Sequence, residues 1–577
     1  MCILKISVHE CMMSNRSTDK SAKKCDAESR SVRVYISALF ALYTILACAN
    51  VVCTVYNMFG DIPYVSRRFD TNAVTIICMV VPRLIVTLFC WATFAVFMIP
   101  MATHYKVEPD LWLPDFMPEE EYPTVDVMLP RYMESWDLYK PTVYAALTMN
   151  YPKNKLTVYV CDDGSRTDPV GQRVNAAFPG AVRYVTRHNG EHAKAGNLNN
   201  ALKDATGDLV VVFDADMNAH PDYLLRTVPH LLTKQSDAID SKVESGDCGR
   251  WTFENIAFVQ TRQEFYNSHK PTVIMMDGRN SIFYNLMMPS FNGMGCALCV
   301  GTCYTMRRAA LNSVGGFFTG CTVEDVFTAL VIHEFGWTSK YIRKEFALGL
   351  SPETIGEFNA QRQRWIAGNA QMTVYFNPMT RKLPLMKRVA YLGANWYWAV
   401  LPFITLIGTI RMALWATNNI IIGNRATSLA VPLFLDTVPI IFVFMLLPAT
   451  KWRNKLCSLL TCFFNIPIYL VVTGALLRGR LNPSKYSYRV KASSEALGSG
   501  FPMLALVNVG FVATAVATCV AMMLPEDKIV HGSWDYVVIA SFTVWTLCWN
   551  FAVFYVIGNR VFSMFLKNNA TNTIMHV

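Results

Sequence analysis

The chain has 577 residues, of which 53% are hydrophobic and 16% are charged, and its formal net charge is +10. This apolar composition excludes an ordinary water-soluble enzyme, and the length exceeds that of a single domain. A membrane protein with one water-soluble domain fits both observations. We interpret the positive charge as suited to contact with anionic inner-leaflet lipid. A role in nucleic-acid binding is disfavoured, because no DNA-binding motif accompanies the charge.

The N-terminal region divides into a polar segment and two apolar stretches. Residues 1–32 are polar and basic without an apolar run near Met1, so we expect a cytoplasmic N-terminus and no cleaved signal peptide. Tyr35 to Tyr56 and Ala73 to Met98 each reach the roughly 20 residues that cross a hydrocarbon core of about 30 Å. Residues 33–100 therefore predict a pair of transmembrane helices.

The composition becomes mixed from residue 101 to residue 387, which predicts a water-soluble domain. Thr124–Pro130 and Leu156–Cys161 are short runs rich in β-branched residues, and Leu138–Met149 between them has helical spacing. Strand, helix and strand in this order predict an α/β fold with a mostly parallel sheet and helices on both faces. Ligands of such sheets bind beyond the carboxyl ends of the strands.

Polar side chains follow two of the predicted elements. Asp162 and Asp163 come after the second strand, where carboxylates can accept hydrogen bonds from a base and a ribose, although a plain Asp-Gly turn has the same sequence. Lys194 precedes a helix predicted at Asn197–Lys203, and its ammonium suits a diphosphate near helix N-terminal amides. The alternative there is a capped helix without a ligand.

A buried strand, Leu209–Phe213, ends in the pair Asp214 and Asp216. Side chains of an extended chain repeat with period two, so both carboxylates are predicted on the same side. Hard oxygen ligands next to a phosphate-rich ligand favour Mg²⁺ or Mn²⁺. The pattern therefore predicts a metal held against a diphosphate.

Two later motifs add a pair of acids and a group of residues that could bind a sugar and a diphosphate. Glu324 and Asp325 can supply a general base, or can simply open a helix as partners of its dipole. Gln361, Arg364 and Trp365 stand at positions i, i+3 and i+4 of a predicted helix and share one face. An indole can stack on a sugar, and a guanidinium can bind a diphosphate.

In chain order the motifs read D-D-G, D-x-D, E-D and Q-x-x-R-W, and from about Asp126 to beyond Ser494 the chain resembles processive membrane glycosyltransferases of family 2, the cellulose synthase branch in particular. The resemblance implies a GT-A-like domain inserted between transmembrane helices. It implies donor binding by Asp162, Asp163, Lys194, Asp214, Gln361 and Arg364, with Asp216 as the metal ligand. It also implies that Asp325, next to Glu324, is the catalytic base and that Trp365 binds the acceptor.

The chain departs from the family pattern at several motifs. T-Y-N-E is replaced by Arg131-Tyr132-Met133-Glu134, T-E-D by Val323-Glu324-Asp325, and F-C-G-S by Cys299-Val300-Gly301-Thr302. By resemblance, Gly301 and Thr302 in that last loop bind the acceptor. The gating loop aligns with Tyr486 to Lys491, where Arg489 and Lys491 are predicted to hold the leaving group. These departures leave the sugar and its linkage open.

The region after the soluble domain predicts four more spans. We expect transmembrane pairs at 388–450 and 501–560, an interface helix and gating loop at 451–500, and a cytoplasmic tail at 561–577. The basic residues near Arg478 place the gating loop on the cytoplasmic side by the positive-inside tendency, together with the soluble domain. The sequence thus predicts about six spans in the plasma membrane.

The resemblance to cellulose synthases implies an inverting, processive synthase that transfers glucose from UDP-glucose to a growing β-1,4-glucan and moves the polymer across the membrane. Its partners are the UDP-sugar, the glycan and membrane lipid, with the number of copies left open, a homo-oligomer included. The same architecture also fits mixed-linkage glucan, β-1,3-glucan or mannan, whereas Val-Glu-Asp disfavours chitin and hyaluronan. A transporter with a degenerate catalytic domain is disfavoured because every catalytic residue is present.

Overall fold

The computed structural model describes residues 20–52, 88, 91–92, 94–114, 117–163, 170–187, 190–234, 251–270, 273–274, 280–395, 446–448, 468, 472–479 and 481–482. Most of the predicted soluble domain is therefore described. The span predicted at 73–98, the transmembrane pairs predicted at 388–450 and 501–560, and the interface helix and gating loop predicted at 451–500 lie wholly or mostly outside these ranges. So do Gly164, Arg489 and Lys491.

One described helix is long and apolar enough to cross a membrane by length and composition. Helix α1, Lys20–Val52, has a mean hydropathy of 1.9 over its most apolar window. It begins well before the predicted span at Tyr35, so the last part of the polar N-terminal segment is helical too. The polar part of α1 contacts the domain. Glu28 pairs with Arg343 at 2.7 Å, and Arg33 donates to the carbonyl of Tyr105 at 2.8 Å.

The helices and strands of the domain follow in chain order. The strands are β1 Val125–Arg131, β2 Leu156–Asp162, β3 Arg183–Thr186, β4 Leu209–Val212, β5 Asn218–Ala219, β6 Leu232–Lys234, β7 Trp251–Phe253, β8 Ile256–Phe265, β9 Tyr304–Arg307 and β10 Thr338–Gly349. The α-helices after α1 are α2 Phe94–His104, α3 Trp136–Leu147, α4 Val170–Ala177, α5 Ala193–Leu202, α6 Tyr223–Thr227, α7 Met288–Gly293, α8 Arg308–Ser313, α9 Glu324–Glu334 and α10 Ile355–Tyr375. Short 3-10 turns lie at Glu119–Glu121, Lys153–Lys155, Val228–Leu231 and Pro378–Thr380, and a π-helical turn lies at Phe283–Met287.

Among the described residues, eight strands form one sheet in the order β3-β2-β1-β4-β9-β8-β10-β5. The first four are parallel to one another, β9 is antiparallel to both of its neighbours, and β8 and β10 are again parallel. The predicted α/β fold with a mostly parallel sheet is therefore confirmed. Strands β6 and β7 form a separate antiparallel pair.

Helices cover both faces of the sheet, as the burial of its strands requires. Every residue of β1 and β4 is buried, which is typical of strands packed on two sides. Val127 of β1 packs in one core with α3 residues such as Tyr139, whereas the next residue, Met128, packs in the other core with Leu198 of α5. This alternation follows from the period of two along a strand. Because β1, β2 and β4 are parallel, their carboxyl ends meet at one edge of the sheet.

Candidate active site

The buried carboxylate of Asp162 ends β2 and is paired inside the protein. It lies in register with Arg131 at the end of β1, whose Nη1 donates to Asp162 Oδ1 at 3.0 Å, and neither side chain is more than 1% exposed. The hydroxyl of Tyr184 donates to the other oxygen, Oδ2, at 2.5 Å. A buried charge needs such a partner. The predicted contact between Asp162 and a donor base stays a prediction.

The neighbouring carboxylate, Asp163, is held by Arg187 in a two-point contact. Nε and Nη2 of the guanidinium each lie 2.6 Å from one oxygen of Asp163. Both side chains are mostly buried, at 9% exposure for Arg187 and 5% for Asp163. Charge-assisted pairs of this geometry are strong and fix orientation as well as charge. The role of Asp163 toward the donor base therefore also stays a prediction.

Lys194 lies in the first turn of α5, and the prediction that it precedes the helix is wrong. The sequence suggested Asn197 as the helix start, because Asn is a good cap. Asn197 is instead buried within α5, where its Nδ2 donates to the carbonyl of Cys161 at 2.7 Å. The helix begins at Ala193, directly after His192, and the φ angles of 59° at His192 and 44° at Ala193 are left-handed and cost roughly 1–2 kcal/mol each.

The ammonium of Lys194 is surrounded by oxygen atoms. Its Nζ donates to a carboxylate oxygen of Asp214 and to the carbonyl of Gly301 at 2.6 Å. Burial lowers the pKa of Lys194, but Asp214, Glu324 and Asp325 outweigh it and hold the pKa above its ordinary value. Lys194 is thus a permanent positive charge, and a quarter of its side chain is exposed.

The D-x-D pair lies in a turn, so the predicted extended chain across it is wrong. Strand β4 ends at Val212, and the amide of Met217 donates to the carbonyl of Asp214 at 2.9 Å. The amide of Asp214 donates to Thr302 Oγ1 at 2.9 Å, and Asp216 Oδ2 accepts from the amide of Leu350 at 3.0 Å. Each acid is therefore fixed by a different neighbouring segment.

The two acids are close enough to repel each other. Burial, followed by the charge of Asp214, raises the pKa of Asp216 to about 6. A divalent cation would relieve this repulsion, and two carboxylates are the hard ligands that Mg²⁺ and Mn²⁺ accept. No cluster of three or more His, Cys, Asp or Glu that could hold a metal occurs in the described part of the chain. The residues therefore fit a metal whose other ligands come from a diphosphate and water.

Asp325 and Lys194 converge on Gly301. A Cβ atom built on Gly301 would lie 2.9 Å from Asp325 Oδ2 and 3.6 Å from Lys194 Nζ, and the φ angle of +85° favours glycine. Asp325 lies in the first turn of α9, as predicted. Burial raises the pKa of Asp325 and of Glu324, and the charge of Asp325 raises that of Glu324 further. A carboxylate with a raised pKa, Asp325, and a cation, Lys194, thus both lie next to Gly301.

Gln260 supports the loop that carries Gly301, and the sequence interpretation missed it. This fully buried residue on β8 donates from Nε2 to the carbonyls of Thr302 at 2.8 Å and Cys303 at 3.1 Å, and its Oε1 accepts from the amide of Val300 at 3.0 Å. A glutamine inside an apolar strand was the available signal, because a buried amide must find hydrogen-bond partners.

Helix α10 brings the Q-x-x-R-W residues beside α9. Gln361 and Trp365 are partly buried and Arg364 is exposed. The helix approaches so closely that a Cβ on Gly368 would lie 2.5 Å from Val323 Cγ1. Val323 is only 5% exposed, so the residue that replaces the family's Thr is buried next to α10.

A mostly parallel sheet with a lysine and two acid pairs near one edge is the arrangement expected of nucleotide-sugar transferases with a GT-A-like fold. Residues 123–368 match the family model described as Glycosyltransferase like family 2, and residues 283–461 match Glycosyl transferase family 21. Residues 123–368 are therefore similar to glycosyltransferase family 2 domains.

Two curated relatives are similar to this chain. It is 30% identical over 351 residues to the cellulose synthase 1 catalytic subunit (UDP-forming) of Komagataeibacter xylinus, which covers 59% of this chain and 44% of the relative. It is 32% identical over 283 residues to the cellulose synthase catalytic subunit (UDP-forming) of Pseudomonas fluorescens strain SBW25, with coverages of 48% and 35%. The chain thus spans less than half the length of both relatives.

A solved structure is similar to a large part of the chain. It is the mannosyltransferase PcManGT from Pyrobaculum calidifontis in complex with GDP-Man and Mn²⁺, at 17% identity and a TM-score of 0.39. The alignment covers 83% of this chain and 99% of that protein.

Proposed function

We propose that the chain is a UDP-sugar-dependent, inverting glycosyltransferase that adds glucose from UDP-glucose to a growing β-1,4-glucan. The observation that supports this most directly is the convergence of Asp325 and Lys194 on Gly301, because transfer needs a base beside a cation at the reacting carbon. The UDP-forming cellulose synthases among the relatives support the donor and the product.

On the donor side, the proposal assigns the diphosphate to Lys194, Arg364 and Gln361, with Arg489 and Lys491 closing over it. Lys194 now donates to Asp214 and Gly301, so an arriving phosphate would replace these partners with a stronger anionic one. Mg²⁺ or Mn²⁺ bound by Asp216 and Asp214 would supply further positive charge to the leaving group. The Asp162 and Asp163 pair lies at the end of β2, with β1 between it and β4, and the proposal places the base and ribose beside this pair.

On the acceptor side, the proposal assigns the sugar to Trp365 and to the loop of Gly301 and Thr302. The acceptor oxygen attacks the anomeric carbon, the bond from that carbon to the phosphate oxygen breaks, and UDP leaves with the electron pair. Asp325 takes the hydroxyl proton, which the raised pKa of its carboxyl suits. Glu324 next to it completes the acid pair.

For the membrane, the proposal keeps six spans around a cytoplasmic domain at 101–387, with the plasma membrane as the site of export. Helix α1 supports one of these spans, and its contacts through Glu28 and Arg33 join it directly to the domain. A processive enzyme needs such a rigid connection, because the product must pass from the site into the lipid-spanning part.

The test is product analysis with the purified chain in lipid nanodiscs. Each UDP-sugar is supplied with Mg²⁺ or Mn²⁺, and the polymer is digested with linkage-specific glucanases, with Asp325→Asn as the inactive control. We expect polymer from UDP-glucose alone, digestible by a β-1,4-glucanase. Resistance to that enzyme but cleavage by β-1,3- or mixed-linkage glucanases, or use of another sugar nucleotide, would replace the substrate assignment. No transfer from any donor would refute the proposed function.

A further inference from the structure

Four hydrogen bonds from a single side chain, Arg187, connect the segment that leads into Lys194 to Asp163. Besides the two bonds to Asp163, its Nη1 donates to the carbonyl of Glu191 at 2.5 Å and its Nη2 to that of Ala193 at 2.7 Å. Arg187 therefore ties the end of β2 to the backbone on both sides of His192. None of these atoms belongs to the acids near Gly301.

This backbone would not adopt its shape without support. His192 and Ala193 are consecutive non-glycine residues with left-handed φ angles, a conformation that side chains with a Cβ disfavour. Such strain persists only where surrounding contacts over-determine it. We call the four hydrogen bonds of Arg187 the Arg187 clamp. Its last contact is with Ala193, the residue before Lys194, so the clamp fixes the backbone position from which the Lys194 side chain extends.

Helix α5 leaves space for the Arg187 clamp at Gly196. A Cβ on Gly196 would overlap the carbonyl oxygen of Glu191 and Nη1 of Arg187, so only glycine leaves room for the guanidinium. The fit is therefore mutual: Arg187 fills the space that Gly196 leaves, and it also cancels the charge of Asp163. With the carboxylate held at two points, Asp163 is turned toward Arg187.

We infer that Arg187 and Asp163 form a positioning pair that acts on the donor through Lys194. This inference rests on the proposed function, because it requires Lys194 to bind the diphosphate. Arg187 fixes the left-handed turn, the turn fixes the first residues of α5, and these aim Nζ between Asp214 and Gly301. Arg187 does not touch the reacting atoms.

A double-mutant cycle separates positioning from direct contact. The affinity for UDP with Mn²⁺ is measured by calorimetry on the full chain in nanodiscs for Arg187→Ala, Lys194→Ala and the double variant. We expect each single variant to bind UDP about 10- to 100-fold more weakly, the range for one lost charge-assisted contact. The double variant should bind within about twofold of Lys194→Ala, because coupled residues are not additive.

Additional variants keep the test decisive if Arg187→Ala folds poorly. Gly196→Ala retains every charge but displaces the clamp, and it should weaken UDP binding in wild-type chain and not in the Lys194→Ala background. Arg187→Lys should not rescue binding, since an ammonium cannot reach a carboxylate and two carbonyls at once. Arg183→Ala is the matched control, because Arg183, on the strand β3 that precedes Arg187, donates to Tyr159 and should leave UDP affinity unchanged.

The outcomes distinguish the inference from the function beneath it. Multiplied losses in the double variant would show that Arg187 contacts the donor directly and would overturn the inference. So would unchanged UDP affinity in folded Arg187→Ala, even if its melting temperature fell. Wild-type chain that neither binds UDP nor releases it from UDP-glucose would instead refute the proposed function.

Discussion

Gly301→Ala tests whether the space at Gly301 sets the position of Asp325, the proposed base. The added Cβ would lie 2.9 Å from Asp325 Oδ2, well inside ordinary van der Waals contact, but at an ordinary 3.6 Å from Lys194 Nζ. The carboxylate must therefore move by roughly 0.5 Å, while the ammonium can stay. Because a misplacement of about 1 Å can cost roughly 100-fold in rate, we expect kcat to fall about tenfold.

A matched control removes the contribution of backbone strain. Gly336 has a φ of +86°, against +85° for Gly301, but a Cβ there would meet nothing within 4 Å. Both alanine variants therefore carry the same conformational cost of roughly 1–2 kcal/mol, and only one disturbs the carboxylate. Melting temperatures measured alongside should fall by similar amounts in the two.

The assay is the steady-state release of UDP from UDP-glucose, together with the equilibrium affinity for UDP. Gly301→Ala should lose kcat and keep its UDP affinity within about threefold, since the donor-side cation is not displaced. A kcat equal to that of Gly336→Ala would refute the reasoning, because it would mean that the base does not depend on the space at Gly301.

Four further predictions concern the proposed base, its pH dependence, the metal site and Arg489. Asp325→Asn should lower the rate about 10²- to 10⁴-fold with UDP affinity nearly intact, and substantial residual synthesis would reject Asp325 as the base. Because burial raises the pKa of Asp325 to about 6 and only the ionised carboxylate accepts a proton, kcat should fall as the pH drops through about 6; a profile flat down to pH 5 would contradict this. Asp216→Ala should abolish the metal dependence of UDP binding, which calorimetry with and without Mg²⁺ checks. Arg489→Ala should raise the donor KM, and unchanged kinetics in nanodiscs would leave Arg489 as a lipid contact.

The sequence was sufficient for the parts of the site that depend on residue type. Apolar runs with β-branched residues predicted β1, β2 and β4 almost to the residue, because strands covered on both faces must be apolar. The acids after those strands were predicted at the carboxyl edge of the sheet, and the topology places them there. The start of α9 at Glu324 agreed with the resemblance.

The errors lay where long-range contacts override local preference. A helix starting at Asn197 follows from capping statistics, but the actual start depends on left-handed residues that Arg187 stabilises from outside the helix. The extended geometry expected for Asp214 and Asp216 fails for a similar reason, since Thr302 and Leu350 fix them separately. Neither contact is visible in a local window of sequence.

The sequence by itself determined which groups are available: a lysine, three acid pairs and a tryptophan in or next to recognisable elements. Only the tertiary structure decided how they are used. It pairs Asp163 with Arg187, 24 residues away, and brings Lys194 to Gly301, 107 residues away. It also places Asp325 against the same glycine. The physical reason is that strand order and close backbone approach arise from packing the whole sheet, whereas residue type and local period are written in each segment alone.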